Sequence, residues 1–500
     1  MIRPAFYLAS LLALTAARAV EERPKPAVQI EELASPALAY AAGAALTGTR
    51  DGLVWLTWAD RTGDEIALRF STLDLAAKKW SAPNPIMEDG RSFHLLEWPG
   101  VFPSVSLGAN GRATAAGIFG FAAHNLETGV WFRQTTDGGK TWGKVTWLSQ
   151  DSTLDIENVT LATLADGRLL VTWFDGRDYK KRVKNVMQLF ARVLGEPGPD
   201  LLIDPSVPRF SQLSLTAFPD GGALLAYNGY TDDNRFTVRT ARFRGHKWDA
   251  SRPLDNDVGR ATGPRLASDG GRVAAAWFTA AGNDPRVLVS YSPDAGARFL
   301  MPLQLNNGKP TGYVDTLILH DGALLVTWLE DDGSVWLRRV TPDFSADEPV
   351  RLTPAGAANV KAVPRVALLR DYAGGKTPAQ LVAAFAGNGA APLRTLLVTV
   401  PEGELLAATK DCDCAPTPEQ LAGFPMRGTV VAVIAERGAL RVQHEEIPGL
   451  LAAGMHEYRA APDDIASLVA GRQFLGRIEW RDSAWWIFDV RLLAQPDLAK

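Results

Sequence analysis

The chain has 500 residues, a formal net charge of −4 at pH 7, 46% hydrophobic residues, fifteen Trp and two Cys. A chain with no basic surplus lacks the electrostatic footprint of a nucleic-acid binder. Its length exceeds what one hydrophobic core ordinarily holds, so several domains or a repeat architecture are expected.

In chain order, the first element is a leader. Arg3 supplies a positive start, Phe6 to Leu14 an apolar core, and Ala17-Arg18-Ala19 a small-x-small cleavage site. Residues 1–19 therefore read as a signal peptide, with the mature chain starting near Val20. The apolar stretch is shorter than the ~18 residues of a spanning helix, and no later segment reaches that length, so no membrane span is expected.

A repeat follows. Turn dipeptides precede apolar runs at Asp51-Gly52, Asn110-Gly111, Asp166-Gly167, Asp220-Gly221, Asp269-Gly270 and Asp321-Gly322. Asp-Gly and Asn-Gly favour the positive φ of tight hairpin turns, so each unit reads as a small antiparallel meander. Seven places after four of the Asp residues stands a large aromatic: Trp58, Trp173, Tyr227 and Trp328. At Asp269 the added Gly271 moves it to Trp277. A further unit without the clean turn spans residues 364–400, and the stretch around Val28-Gln29-Ile30 is placed to supply its outer strand. A period of about 50 residues suits a four-stranded propeller blade. The expectation is an all-β chain with a β-propeller over 27–402, seven blades preferred and six possible.

Two segments carry a more specific signal. Thr135-Thr136-Asp137-Gly138-Gly139-Lys140-Thr141-Trp142 fits the Asp-box pattern throughout, and Ser292-Pro293-Asp294-Ala295-Gly296-Ala297-Arg298-Phe299 departs only where Arg298 replaces Thr. The physical reading is structural. Asp137 and Asp294 accept turn amides, Gly139 and Gly296 permit a strained φ, Thr135, Ser292 and Thr141 add hydroxyls, and Trp142 and Phe299 pack beneath. On these motifs the region resembles the sialidase-like, or BNR-repeat, propellers. Catalytic members of that family carry an N-terminal Phe/Tyr-Arg-Ile-Pro segment, three arginines on the substrate carboxylate, a Tyr-Glu pair and an acidic proton donor. The first motif is absent here. Arg177, Arg265, Arg365, Glu157 and Tyr179 are candidate replacements, of which Arg265 and Arg365 both follow Pro on a first strand. No catalytic residue is assigned.

Beyond the propeller, residues 403–424 read as a linker holding the Cys412-Asp413-Cys414 pair, which is too closely spaced to staple a fold. Five short strands then predict a small OB-like β-barrel over 425–493. His444-Glu445-Glu446-Ile447-Pro448-Gly449 and Met455-His456-Glu457-Tyr458 resemble the periplasmic copper-binding CusF-like domains. The resemblance implies a Cu(I) site, with His444 matching the family's His. Gly454 and His456 fall where its two Met belong, and Met455 lies between. Two readings stay open. Either His444, Met455 and His456, aided by Cys412 and Cys414, bind copper, or the fold outlived its metal site.

The resulting expectation is an exported, periplasmic binding protein. Its non-catalytic propeller would meet a protein or glycan, and its copper-chaperone-like domain would serve copper handling. The alternative is a sialidase-type exo-glycosidase acting on acidic sugars. The first reading predicts no membrane span and no nucleic-acid partner.

Overall fold

The computed structural model describes residues 28–401 and 424–493, except 38–40, 50–51, 63–64, 88–101, 122–126, 149–155, 178–186, 210, 232, 255–258, 260, 360, 372–376, 389–392, 435–437, 446, 448–452, 462–464, 466–467 and 482–483. The predicted leader, the Cys412/Cys414 pair and Tyr179 lie outside the described residues.

The chain is all-β, with seven antiparallel sheets followed by a closed five-stranded barrel. The seven innermost strands, from Ala41–Gly48 round to Arg365–Arg370, each lie beside the next, and the first also lies beside the seventh. That closes a seven-bladed propeller and settles the count left open between six and seven. The seventh sheet is completed by Gln29–Leu33, paired antiparallel with Leu393–Val400 in the register Gln29 to Thr399 through Leu33 to Thr395. This is the strand expected near Val28-Gln29-Ile30.

The predicted turns explain the regularity. Gly52, Gly111, Gly167, Gly221, Gly270 and Gly322 all have positive φ, so the glycine in each pair adopts the backbone that closes the hairpin. The periodic aromatics Trp58, Trp173, Tyr227, Trp277 and Trp328 are at most 1% exposed and form the packing between sheets. In the second blade the same place is Gly117, where a Cβ would sit 2.8 Å from the indole of its cross-strand partner Trp131. The aromatic is therefore supplied from the neighbouring strand.

Three of the buried tryptophans share a feature that spacing did not reveal. The indole N–H donates to a carboxylate two residues on: Trp58 to Asp60 at 2.7 Å, Trp173 to Asp175 at 3.0 Å and Trp328 to Glu330 at 2.6 Å. A buried donor thus meets a buried acceptor, and neither is left unsatisfied.

The barrel runs Phe424–Ile434, Ala439–His444, Gly454–Ala460, Ala484–Leu492 and Gln473–Arg481 in spatial order. The contact of Gly454–Ala460 with Ala484–Leu492 is parallel and the others antiparallel. Its core holds Met426, Val430, Leu440, Tyr458, Phe474 and Ile487. Among the described residues, no helix is long and apolar enough to cross a membrane.

Candidate functional site at the channel mouth

The innermost strands enclose a central cavity of about 650 Å³, to which all seven blades contribute. One end is lined by small hydroxyls that staple neighbouring blades: Ser106 to Thr163 at 2.7 Å and Thr216 to Ser268 at 2.5 Å. The other end, where the innermost strands begin, is irregular in a repeated way. Four of these strands carry a β-bulge with a positive-φ residue inside it or at its edge: Gly43, Asn158, Gly263 and Gly312. Bulges redirect the side chains that follow them. Here the bulges also nest: a Cβ on Gly263 would lie 3.1 Å from the Gly312 carbonyl, to which Thr262 donates at 2.9 Å.

Directly after two of these bulges stand Arg265 and Asp315. Arg265 Nε donates to Asp315 Oδ1 at 2.9 Å, across the boundary between the fifth and sixth blades. Asp315 also accepts the Thr316 amide at 3.0 Å, and its Oδ2 accepts the Val366 amide from the seventh blade at 3.0 Å. Arg365, only 7% exposed, is electrostatically coupled to Arg265, Asp315 and Tyr313. Burial first, and the Arg265 cation second, push its pKa down to about 9, so it remains protonated at neutral pH. Asp315 is therefore hydrogen-bonded by Arg265 and lies in the electrostatic field of the buried Arg365, and of these three Arg265 and Asp315 line the cavity.

The other sequence candidates do not join this cluster. Arg177 is held by Asp175 at 2.6 Å and Asp200 at 2.7 Å and lies over the Phe190 ring. Glu157 is buried in an ion pair with Arg209 at 2.9 Å. Asp315 and Tyr313 were not singled out by sequence. The available signal was glycine inside an otherwise apolar strand, at Gly263 and Gly312, which marks bulges.

The two Asp-box-pattern segments sit at the far end of the channel. The Gly138 amide donates to Gly111 O at 2.8 Å and the Ala295 amide to Gly271 O at 2.6 Å, each tying the segment to the hairpin turn of its own blade. Asp137 accepts Thr135 Oγ1 at 2.7 Å, the Thr141 amide at 3.0 Å and Thr141 Oγ1 at 2.6 Å, and its pKa falls to about 2 through these bonds. In the second segment Asp294 accepts Ser292 Oγ at 2.9 Å, and Arg298 Nε takes the hydroxyl's place at 2.7 Å. Gly139 abuts Phe70 and Trp55 of the preceding blade, with Trp142 edge-on to both rings; Gly296 abuts Leu224. The contacts of both segments stay within their own blade and the one before it.

In the barrel, His444 and His456 share a face. His444 Nε2 lies 2.7 Å from His456 Nδ1, and His444 Nδ1 lies 2.7 Å from the Glu445 carbonyl. The Tyr458 ring stands edge-on to both imidazoles, and burial raises its hydroxyl pKa to about 12. Met455, paired with Gln443 across the strands and 52% exposed, sits on the opposite face. Adjacent strand residues alternate, so the expected trio reduces to two imidazoles.

No family model matches the chain, and no curated protein matches it. Among solved structures it is similar to the BP39L lectin of Burkholderia pseudomallei, at 11% identity and a TM-score of 0.49 over 73% of this chain and 100% of the lectin. It is similar to a Dyadobacter fermentans protein of unknown function, at 14% and 0.45 over 75% and 99%. It also resembles Trypanosoma rangeli sialidase, at 10% and 0.41 over 90% and 84%. The propeller rests on its own strand pairing.

Proposed function

We propose that the protein is an exported, periplasmic binding protein whose propeller mouth holds an anionic glycan, with a carboxylate of the sugar taken by Arg265 in the field of the buried Arg365. One observation carries this reading: Arg265 lines the channel next to a single carboxylate, Asp315, with the cation of the buried Arg365 adding to the local positive field. A planar guanidinium meets a carboxylate through directed, charge-assisted hydrogen bonds. The same geometry favours binding over hydrolysis. Asp315 is engaged by Arg265 and two amides, and Glu157 by Arg209, so neither carboxyl is placed as a proton donor to a glycosidic bond.

Calorimetric titration with N-acetylneuraminic acid, glucuronic acid and neutral lactose tests the reading. The acidic sugars bind and lactose does not. Arg265→Gln weakens the acidic sugars about 10- to 100-fold, the worth of a hydrogen bond to a charged group. Equal binding of lactose, or an unaffected Arg265→Gln variant, rejects it. Release of the fluorophore from a fluorogenic sialoside establishes the exo-glycosidase instead.

A second reading concerns the barrel, favoured by the facing imidazoles. His444 and His456 present converging nitrogens that suit a copper ion, and metal entry displaces the proton they share. This keeps the barrel in copper handling, with imidazole donors in place of a thioether set. Copper binding by the full chain that survives His444→Ala/His456→Ala rejects it.

A further inference from the structure

We infer that the protein binds a small monovalent inorganic anion, of which chloride is the type, at Arg365 on the innermost strand of the seventh blade. The ion is needed whatever the mouth holds, because what calls for it is a buried cation with no partner among the described residues.

Arg365 opens the strand Arg365–Arg370 and is 7% exposed. Its guanidinium group makes no side-chain hydrogen bond and no ion pair with a described residue. It is charged nonetheless, since burial and the Arg265 cation lower its pKa only to about 9. An ion taken out of water and left unpaired is among the costliest groups a fold can hold, so buried charges are met by a counter-charge.

The nearby acids are committed elsewhere. Asp315 receives Arg265 Nε at 2.9 Å and the Thr316 amide at 3.0 Å on Oδ1, and the Val366 amide at 3.0 Å on Oδ2. On the adjoining first blade, Asp60 takes the Trp58 indole at 2.7 Å and Arg69 Nε at 2.9 Å. The packing around the strand is otherwise apolar: Ala384, the cross-strand partner of Arg365, clusters with Ala44, Leu56, Trp58 and Leu393. Neither carboxylate is left for Arg365.

Access and size select the ion. The next residue, Val366, lines the central cavity with Arg265 and Asp315, so an ion entering the channel reaches the neighbourhood of Arg365 through water. A sugar carboxylate stops at Arg265, which the cavity exposes. Arg365 itself does not line the cavity, and the 7% of its surface left open gives room at the scale of a water molecule. Chloride is little larger than water and carries the single charge that is missing. It also sheds its hydration more readily than fluoride or phosphate, which suits a guanidinium group that is itself weakly hydrated.

The experiment is thermal melting of the full chain at fixed ionic strength, with sodium methanesulfonate, whose anion is too bulky for the gap, exchanged stepwise for sodium chloride. The wild-type midpoint rises with chloride and saturates, gaining roughly 2 °C once the ion exceeds its dissociation constant tenfold. Arg365→Met, which puts an apolar chain in place of the charge, melts at one temperature in both salts. Should that variant not fold, crystals of the wild type grown in bromide locate the ion by its anomalous scattering, with the peak against the Arg365 guanidinium group. A wild-type midpoint indifferent to chloride, an equal response in Arg365→Met, or bromide found only away from Arg365 overturns the site, and each leaves the Arg265 reading of the mouth standing.

Discussion

At the scale of single residues, the far-end segments separate structure from ligand binding. Asp137 has its pKa drawn down to about 2 by Thr141 and Thr135. A carboxyl whose folded pKa lies below its unfolded value contributes stability that is present above the unfolded value and is lost as pH falls through the folded one. Asp137→Asn therefore lowers the thermal midpoint at pH 7, and its deficit against the wild type narrows between about pH 4 and pH 2. Melting curves across that range check the sign. Since Gly138 is bound to the turn at Gly111, away from the bulged mouth, acidic-sugar affinity at pH 7 stays at the wild-type level. A loss of affinity in Asp137→Asn would place this segment in the binding site after all.

At the scale of elements, strand alternation decides which donors meet. Gly454–Ala460 turns His456, Tyr458 and Ala460 one way and Met455, Glu457 and Arg459 the other. Met455→Ala therefore leaves copper stoichiometry and affinity unchanged, whereas His456→Ala lowers the affinity at least tenfold, near the lower bound for losing one metal ligand in place of an outer partner. Competition titration with a chromogenic Cu(I) chelator measures both, and the reverse ranking would return the thioether to the site. The same element scale shows what was legible in the sequence. Glycine turns at fixed spacing and aromatics seven residues later are local signals, and they located the strands and the sheet packing. Period two separates Met455 from His456, but the face shared by His444 and His456 depends on the register between two strands, which sets Val442 opposite His456. The Arg265–Asp315 contact was not legible, because its partners are fifty residues apart in different blades and are brought together by bulges at Gly263 and Gly312. A bulge changes register by one residue, and no periodicity announces which side chain it turns inward.

At the scale of the whole molecule, the ring is a chain of sheets whose first and last members must be joined, and that join is made by five residues. Gln29–Leu33 pairs along Leu393–Val400. Glu32 and Arg394 add a two-pronged ion pair at 2.7 Å for each contact, and Leu33, 5% exposed, packs with Val54, Leu73 and Leu397. Burying one leucine contributes about 2 kcal/mol, and the exposed ion pair adds at most about 1 kcal/mol. The larger effect is topological. Without this strand Leu393–Val400 becomes a sheet edge, and the seal between first and seventh blades loses the segment that belongs to both. A chain truncated to begin at residue 34 therefore unfolds in guanidinium at a lower midpoint and with a broader transition, because the seventh blade comes away before the rest. Leu33→Ala, which keeps the backbone ladder, lowers the midpoint and preserves the sharpness of the transition. The contrast separates closure from burial. If the truncated chain keeps a sharp transition at the Leu33→Ala midpoint, the strand acts only through its leucine and the ring holds without a clasp. If it broadens, the mouth built from blades five, six and seven depends on a strand more than two hundred residues away in sequence, and acidic-sugar affinity falls with it as Arg365 loses its fixed place near Arg265.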